Sequence, residues 1–179
     1  MKISLTGHLD IERGLGIKQT NNHIYDPYAF NTTYDEILKY LIKFCKNKNI
    51  TLDDLTLISG MARGADEIFA YIAMDYNLPL IIVVPKSVQY HKNKIVKKTP
   101  NIKIQAIQYE MILKYHNLEN IIEVNDNLNK GNYGYFLARN QKMVDIADYV
   151  ISYKKYESGG TNDCIQRAIL VNKYYGNVS

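Results

Sequence analysis

The sequence contains no tryptophan, only two cysteines and only four prolines among its 179 residues. Cys45 and Cys164 have neither the number for a disulfide framework nor the spacing of a zinc site, so we expect two reduced thiols in the core. No apolar run reaches the roughly 18 residues of a membrane-spanning helix, and the amino-terminal residues lack the apolar stretch of a secretory signal. We therefore expect a cytoplasmic protein with no membrane segment, no metal and no cofactor.

Strong positive charge is also lacking. The formal net charge is +4, and the lysines are scattered, with one loose cluster at residues 91–98. The 16 tyrosines accompany many Asn, Lys and Ile residues, a composition typical of AT-rich coding rather than of a base-stacking surface. The modest charge permits a small anionic ligand, but the sequence shows no basic stripe of the kind that nucleic-acid binding uses. We therefore do not expect nucleic acid as a partner.

Short apolar strands alternate with helical segments along the chain. The predicted strands are 2–7, 55–59, 79–85, 121–124 and 149–153. Apolar stripes at helical spacing predict helices at 33–45, 65–76, 137–147 and 161–174. This alternation predicts a single α/β domain over residues 1–179, with a Rossmann-like, doubly wound and mostly parallel sheet of about five to seven strands and helices on both faces.

Local patterns predict three further details. Thr33 and Glu36 have the spacing of a capping box, so the first helix is predicted to begin at Thr33. The irregular stretches 9–32 and 125–135 are rich in Asn, Gly and Tyr, and loops of this length in a compact domain are often lids or binding loops. His23, His91 and His116 show no metal-ligand spacing and are expected at the surface.

The candidate ligand site lies where strands end and helices begin. In open parallel sheets, ligands bind outside the carboxyl ends of the strands, near the point where the strand order reverses. Three loops and one helix start are predicted to meet at that edge. The candidate ligand-binding residues are Thr6, Gly7 and His8; Ser59, Gly60, Met61, Arg63, Gly64 and Asp66; Arg139 and Asn140; and Ser158, Gly159, Gly160 and Thr161.

The chemistry of these residues favours a phosphorylated ligand. Glycines allow close approach of the backbone, and a helix start offers N–H groups and the positive end of the helix dipole. Arg63 and Arg139 would supply charge, while Thr6, His8, Asn140 and Asp66 would orient a ribose or base. Each motif also has a structural interpretation, as a tight turn, a helix cap, a surface arginine or a structural histidine. No catalytic residue is assigned.

In their order along the chain, five segments resemble the SLOG superfamily. They are ISLTGH at 3–8, YDPY at 25–28, ISGMARGAD at 58–66, ARNQKMVDIADYVIS at 138–152 and SGGTNDCIQRA at 158–168. This Rossmann-like superfamily includes the DprA/Smf DNA-processing proteins, the LOG phosphoribohydrolases and the YpsA-like proteins. The sequence resembles small stand-alone members of bacteria and phages. The resemblance implies a nucleotide or nucleotide-derived ligand held by the three loops.

The resemblance leaves three functions open. The first is a sensor or sequestering protein for an NAD-derived or cyclic nucleotide signal, with phage counter-defence as one setting. The second is a nucleotide hydrolase that cleaves an N-glycosidic or phosphate bond; LOG enzymes use a glutamate in the last loop, which is absent at 158–164, so Asp66, Glu157 or Asp163 would have to replace it. The third is DprA-like engagement of single-stranded DNA, which the moderate charge disfavours.

The carboxyl-terminal residues bear on self-association. Members of the superfamily usually have a further strand after the last helix, and the segment YYGNVS at 174–179 does not predict one. We therefore expect that strand to be missing, truncated or supplied by a partner. An exposed sheet edge favours pairing with another copy, so a homo-oligomer is expected.

Overall fold

The computed structural model describes residues 1–8, 10–18, 25–91, 93, 120–128, 131, 133–157 and 159–178. Its strands are β1 (Lys2–Gly7), β2 (Thr56–Ser59), β3 (Leu80–Pro85), β4 (Ile121–Val124), β5 (Tyr149–Tyr153) and β6 (Tyr174–Asn177). Its helices are α1 (Ile11–Gly14), α2 (Pro27–Lys48), α3 (Ala65–Asp75), α4 (Tyr133–Ile146) and α5 (Gly159–Leu170). A 3-10 turn covers Leu52–Asp54, and residues 88–91 are also helical.

The strands form one six-stranded sheet in the order β4-β3-β2-β1-β5-β6, and every pair is parallel. The chain moves outward from β1 to β4 and then crosses to the other side of β1, so the strand order reverses between β1 and β5. Their register runs from Ile3 opposite Tyr149 to Gly7 opposite Tyr153. The predicted doubly wound, Rossmann-like sheet is confirmed.

Successive strand residues face opposite sides of the sheet and pack against different helices. On one face, Leu57 and Ile82 belong to a core that includes apolar residues of α2 and α3. On the other face, their neighbours Ile58 and Val83 join a core with residues of α4 and α5. Full burial of one such side chain stabilises the fold by about 1.5–3 kcal/mol. Burial on both faces explains why the strands are continuously apolar.

Helix α2 begins earlier than predicted. Asp26 is its N-cap, with a carboxylate that accepts hydrogen bonds from the N–H groups of Tyr28 and Ala29 at 3.0 Å each, and Pro27 occupies the first helical position. Asp followed by Pro is a strong start signal because the proline has no N–H to leave unpaired. The predicted start at Thr33 is therefore wrong. Thr33 lies buried inside the helix and its hydroxyl donates to Tyr153 Oη at 3.2 Å.

The strand that the sequence did not predict is present as β6. It pairs with β5 from Val150 opposite Tyr174 to Ser152 opposite Asn177, with an irregularity beside Tyr175. Gly176 has φ 158, and a Cβ there would lie 2.6 Å from Tyr40 Oη. The strand is short, contains a glycine and lacks alternation, so no strand pattern marks it. The expected homo-oligomer stays a prediction.

Burial confirms one expectation about individual side chains and corrects another. Cys45 and Cys164 are free and buried, as expected, and burial raises the pKa of the Cys164 thiol to about 12. His91 was expected at the surface but is only 3% exposed. His23 and His116 lie outside the described residues. Within the described part of the chain, none of the helices is long and apolar enough to cross a membrane.

Candidate functional site

The end of β1 connects the first turns of α3 and α5. The Gly7 N–H donates to Asp66 Oδ1 at 3.2 Å, and the Gly7 carbonyl accepts from the Thr161 hydroxyl at 3.1 Å. A Cβ at Gly7 would lie 2.3 Å from the Cβ of Ala65, so only glycine permits this approach. The neighbouring Thr6 is buried, and its side chain is hydrogen-bonded to that of Cys164 in α5. Three separate segments therefore meet at the carboxyl end of β1.

The loop between β2 and α3 is closed by internal hydrogen bonds. The Ser59 hydroxyl donates to the carbonyl of Asp66 at 2.6 Å and accepts from the Met61 N–H at 3.0 Å. Met61 is buried and has a backbone φ angle of 51°, and Gly64, the N-cap of α3, has a φ angle of 93°. Such left-handed backbone is easy for glycine and uncommon for other residues. The loop is thus a preformed turn.

Gly60 is a glycine because Arg139 occupies the space beside it. A Cβ at this position would lie 2.7 Å from Arg139 Nη1 and 2.9 Å from Asp66 Oδ2. Arg139 Nη1 donates to the Gly60 carbonyl at 3.0 Å, and its nearest approach to the Asp66 carboxylate is 4.0 Å. Burial raises the pKa of Asp66 to about 6, although Arg139 and the N–H groups of Gly7 and Ala62 favour the charged form.

Arg139 and Asn140 lie inside α4, not at its start as predicted, because the helix begins at Tyr133. Both are buried, and two guanidinium nitrogens of Arg139 donate to Asn140 Oδ1 at 2.9 and 3.3 Å. Asn140 Nδ2 donates to the Gly160 carbonyl at 3.3 Å and to Asp163 Oδ2 at 3.4 Å. Much of the hydrogen-bonding capacity of this pair is therefore used to join the β2–α3 loop to α5.

Arg63 contacts a different part of the molecule. Its Nη2 lies 3.1 Å from Glu12 Oε1 in α1, and its guanidinium carbon lies 4.6 Å from the centroid of the Tyr25 ring. The Tyr25 hydroxyl donates to a carboxylate oxygen of Glu67 and accepts from the Gly64 N–H. This arrangement anchors the residues before α2 on the start of α3.

His8 fixes the loop between β5 and α5. It is only 1% exposed, and its Nε2 accepts hydrogen bonds from the N–H groups of Lys155 at 2.9 Å and Tyr156 at 3.0 Å. Its ring stacks on Tyr156 with centroids 3.6 Å apart. Burial, followed by the charges of Lys154 and Arg13, lowers the pKa of His8 to about 4. A neutral imidazole that accepts through Nε2 acts as a structural group in this loop, and the role of His8 in ligand binding stays a prediction.

The start of α5 is the open part of this site. Gly159 and Gly160 are exposed, and a Cβ on either would meet no atom within 4 Å. The first N–H groups of a helix have no partner within the helix, and they carry the positive end of its dipole. The neighbouring Ser158 lies outside the described residues. The structure therefore brings most of the predicted residues together around an accessible helix start, and their role in ligand binding stays a prediction.

The three carboxylates considered for hydrolysis all accept hydrogen bonds from the protein. Asp66 is buried as described, Asp163 Oδ2 accepts from Arg167 at 2.9 Å, and the exposed Glu157 accepts from Lys154 at 2.7 Å and from Asn162. Hydrogen bonds from Lys154 and Asn162 lower the pKa of Glu157. Within the described ranges, no three His, Cys, Asp or Glu side chains are grouped to hold a metal ion.

Sequence reasoning missed an aromatic pair with a lysine at the end of β3. Lys86 is exposed with φ 61, and its Nζ lies 5.4 Å from the ring centroids of both Tyr90 and Tyr135. These two rings are 5.7 Å apart, and the nearby Tyr133 is 54% exposed at the start of α4. The sequence contains one signal for this group, because Lys86 directly follows the predicted strand 79–85. It was overlooked because the tyrosines were attributed to composition.

The parallel sheet and the groups at its carboxyl edge define a Rossmann-like α/β fold. Solved structures of DNA processing protein A (DprA) share this architecture. The protein from Helicobacter pylori, described for its mode of single-stranded DNA binding, superimposes with a TM-score of 0.59 at 18% identity over 98% of this chain. DprA from Streptococcus pneumoniae gives a TM-score of 0.55 at 14% identity, also over 98% of this chain. Comparisons with protein families and with curated proteins gave no match.

The structural similarity covers only part of the larger proteins. This chain spans 64% of the Helicobacter pylori chain and 49% of the Streptococcus pneumoniae chain. The expectation that nucleic acid is not a partner is wrong, because both similar structures are DNA processing proteins and one is described by its binding of single-stranded DNA. That expectation rested on overall charge, which does not show where cations and rings gather after folding.

Proposed function

We propose that the carboxyl edge of the sheet binds single-stranded DNA. The observation that carries the proposal is the group formed by Lys86, Tyr90 and Tyr135, which lies at the end of β3 on the same sheet edge as the glycine-rich start of α5. Single-strand binding combines cationic contacts to the backbone with aromatic rings on which bases stack. The fold shared with DprA proteins supports the same assignment.

Phosphate contacts are assigned to the start of α5. The exposed Gly159 and Gly160 leave room for a phosphate to approach the helix N–H groups, and the dipole favours an anion there. Lys154 and Lys155 precede these glycines, and Arg13 lies over Tyr156 with its guanidinium carbon 4.5 Å from the ring centroid. Positive charge is thus present beside the loop that His8 holds in place, with Lys154 paired to Glu157 at 2.7 Å and Lys155 to Glu36 at 3.0 Å.

Base contacts are assigned to the Tyr90 and Tyr135 rings. Neither tyrosine is fully buried, and the exposed Lys86 ammonium above both rings is placed to attract the phosphate beside a stacked base. Stacking of a base on an aromatic side chain contributes about 1–3 kcal/mol. Every base has a π face that can stack, so this mode of binding is tolerant of sequence.

The proposal is tested by fluorescence anisotropy with a labelled single-stranded oligonucleotide. Wild-type protein is expected to bind with an affinity that falls as salt rises, and Tyr135→Leu is expected to weaken binding by about tenfold. Tyr76→Leu is the matched control. Tyr76 is 42% exposed at the carboxyl end of α3, whereas the candidate site lies at the start of that helix. An unchanged affinity for Tyr135→Leu, or no binding by the wild type, would reject the proposal.

A small nucleotide-derived ligand is the second candidate, and the reversal of strand order between β1 and β5 favours it. Open parallel sheets hold mononucleotides at this point, and Gly7, Asn140 and Thr161 meet there beside the open α5 start. Thermal-shift measurements with NAD, ADP-ribose, nucleoside monophosphates and cyclic nucleotides test it. Tyr135→Leu should not affect such a ligand, whereas it should affect DNA. Chromatography of the incubated ligands distinguishes a binder from a hydrolase.

A further inference from the structure

The second half of α2 carries a row of lysines on its exposed side. Lys39, Lys43 and Lys46 are spaced four and three residues apart, so they share one face of the helix, and all three are exposed. Among the described residues, none forms an ion pair with any of them. We call these three residues the lysine row.

An aromatic cleft lies directly beside the lysine row. It has a volume of about 240 Å³ and is lined by Tyr40, Lys43, Phe44 and Asn47 of α2 and by Tyr175 of β6. The Tyr175 ring centroid lies 4.7 Å from that of Phe44 and 6.3 Å from that of Tyr40, both edge to face. Lys43 belongs to both the row and the cleft.

The cleft is at the opposite edge of the sheet from the candidate site. Phe44 and Tyr175 pack against Tyr149, with ring centroids 5.4 and 5.7 Å apart, and Tyr149 is the first residue of β5. Because all strands are parallel, the start of β5 marks the amino edge. The lysine row and cleft are therefore separated from the α5 start by the length of the strands.

We propose that the lysine row and the aromatic cleft form a second contact surface for single-stranded nucleic acid, with phosphates on the lysines and a base in the cleft. This inference rests on the proposed DNA binding and extends it to a second edge of the sheet. Lysines beside aromatic rings fit a polyanion whose bases can stack. Lys46 also has a local reason to be present, since cations in the last helical turn interact favourably with the dipole, but Lys39 and Lys43 lie before that turn.

The first test is the salt dependence of binding to a long and a short oligonucleotide. For a strand of about 30 nucleotides, longer than the roughly 4–16 that one compact binding site covers, Lys39→Gln/Lys43→Gln should reduce the slope of log K against log salt by about 1.4. For a strand of about 6 nucleotides, the slope should stay that of the wild type. Lys142→Gln on α4 is the single-charge control and should leave both slopes unchanged. Glutamine preserves helix propensity, so the variants should remain folded.

The second test locates the strand by photochemical crosslinking. A long oligonucleotide containing 5-bromodeoxyuridine is irradiated with the wild-type protein, and the crosslinked peptides are identified by mass spectrometry. Crosslinks to the peptide of Tyr40 or Tyr175 are expected in addition to crosslinks at the carboxyl edge. Crosslinks confined to the carboxyl edge, with an unchanged slope for Lys39→Gln/Lys43→Gln, would overturn the second surface alone. A wild type that binds no strand of either length would overturn both proposals.

Discussion

The Asn140 side chain donates from Nδ2 to the carbonyl of Gly160 at 3.3 Å, so a buried residue of α4 holds the first turn of α5. The same side chain accepts from Arg139, which in turn donates to the Gly60 carbonyl. One chain of hydrogen bonds therefore runs from the β2–α3 loop through α4 to the open helix start. The buried arginine positions the site, while the exposed backbone of α5 is the part that a phosphate can reach.

Breaking this chain should destabilise the protein. In Asn140→Ala, Arg139 loses the acceptor for two of its nitrogens, and a buried donor without a partner costs about 1–3 kcal/mol. Urea denaturation should show a loss of free energy of unfolding in that range. Lys142→Ala on the same helix should change it by no more than about 0.5 kcal/mol. Equal stabilities of the two variants would show that the network is not cooperative with folding.

Gly60 and Gly159 should respond in opposite ways to the same substitution. In Gly60→Ala, the new methyl group would overlap Arg139 and Asp66, and overpacking of this kind costs about 1–3 kcal/mol. In Gly159→Ala, the methyl group meets open space at the first residue of α5, and the lower backbone entropy of the unfolded chain should stabilise the fold by about 0.4–1 kcal/mol. The melting temperature should be lower than that of the wild type for Gly60→Ala and higher for Gly159→Ala. A neutral Gly60→Ala would contradict the close packing of Arg139.

The lowered pKa of His8 predicts how the free energy of unfolding changes as the solution becomes acidic. Since the pKa is lowered to about 4 in the folded state from 6.5, the unfolded chain binds a proton first as pH falls. The His8 contribution to stability is therefore complete above pH 6.5 and is lost between 6.5 and about 4. His8→Gln keeps an acceptor near Nε2 without titrating, so its free energy of unfolding should fall less over this range.

His91, whose pKa is lowered to about 3, and Asp66, whose pKa is raised to about 6, also contribute to the pH dependence of stability, but they are present in both proteins, so the difference between the two curves isolates His8. His8→Phe serves as the control for the acceptor. It leaves the N–H groups of Lys155 and Tyr156 without a partner, and it should be destabilised at every pH. Parallel curves for wild type and His8→Gln would refute the assignment of the neutral acceptor.

Local signals in the sequence were enough for the sheet and for the meeting of its loops. Apolar runs, followed by glycines and helix starts, predicted five of the six strands and the edge at which Gly7 and Thr161 meet. The role of Arg139 was not predictable in this way, because its partner Gly60 lies 79 residues away and only tertiary packing shows that the guanidinium is buried. Long-range contacts decide which cation is accessible.

The aromatic groups illustrate the same limit. Tyr90 and Tyr135 are distant in sequence and become a pair only because the end of β3 and the start of α4 lie at the same edge of the sheet. A count of 16 tyrosines carries no information about such pairs. The β6 strand was missed for a related reason, since its place is set by pairing with β5 rather than by an apolar pattern of its own.

The most direct measurement compares oligonucleotide binding by Gly160→Asp, Gly160→Ala and the wild type in the anisotropy assay. An aspartate in the first turn of α5 is favourable for the helix, so the fold should be preserved, but its charge would occupy the place assigned to a phosphate. We predict that Gly160→Asp weakens binding by about tenfold or more while Gly160→Ala binds like the wild type. Equal affinities for all three proteins would show that no phosphate binds at the start of α5.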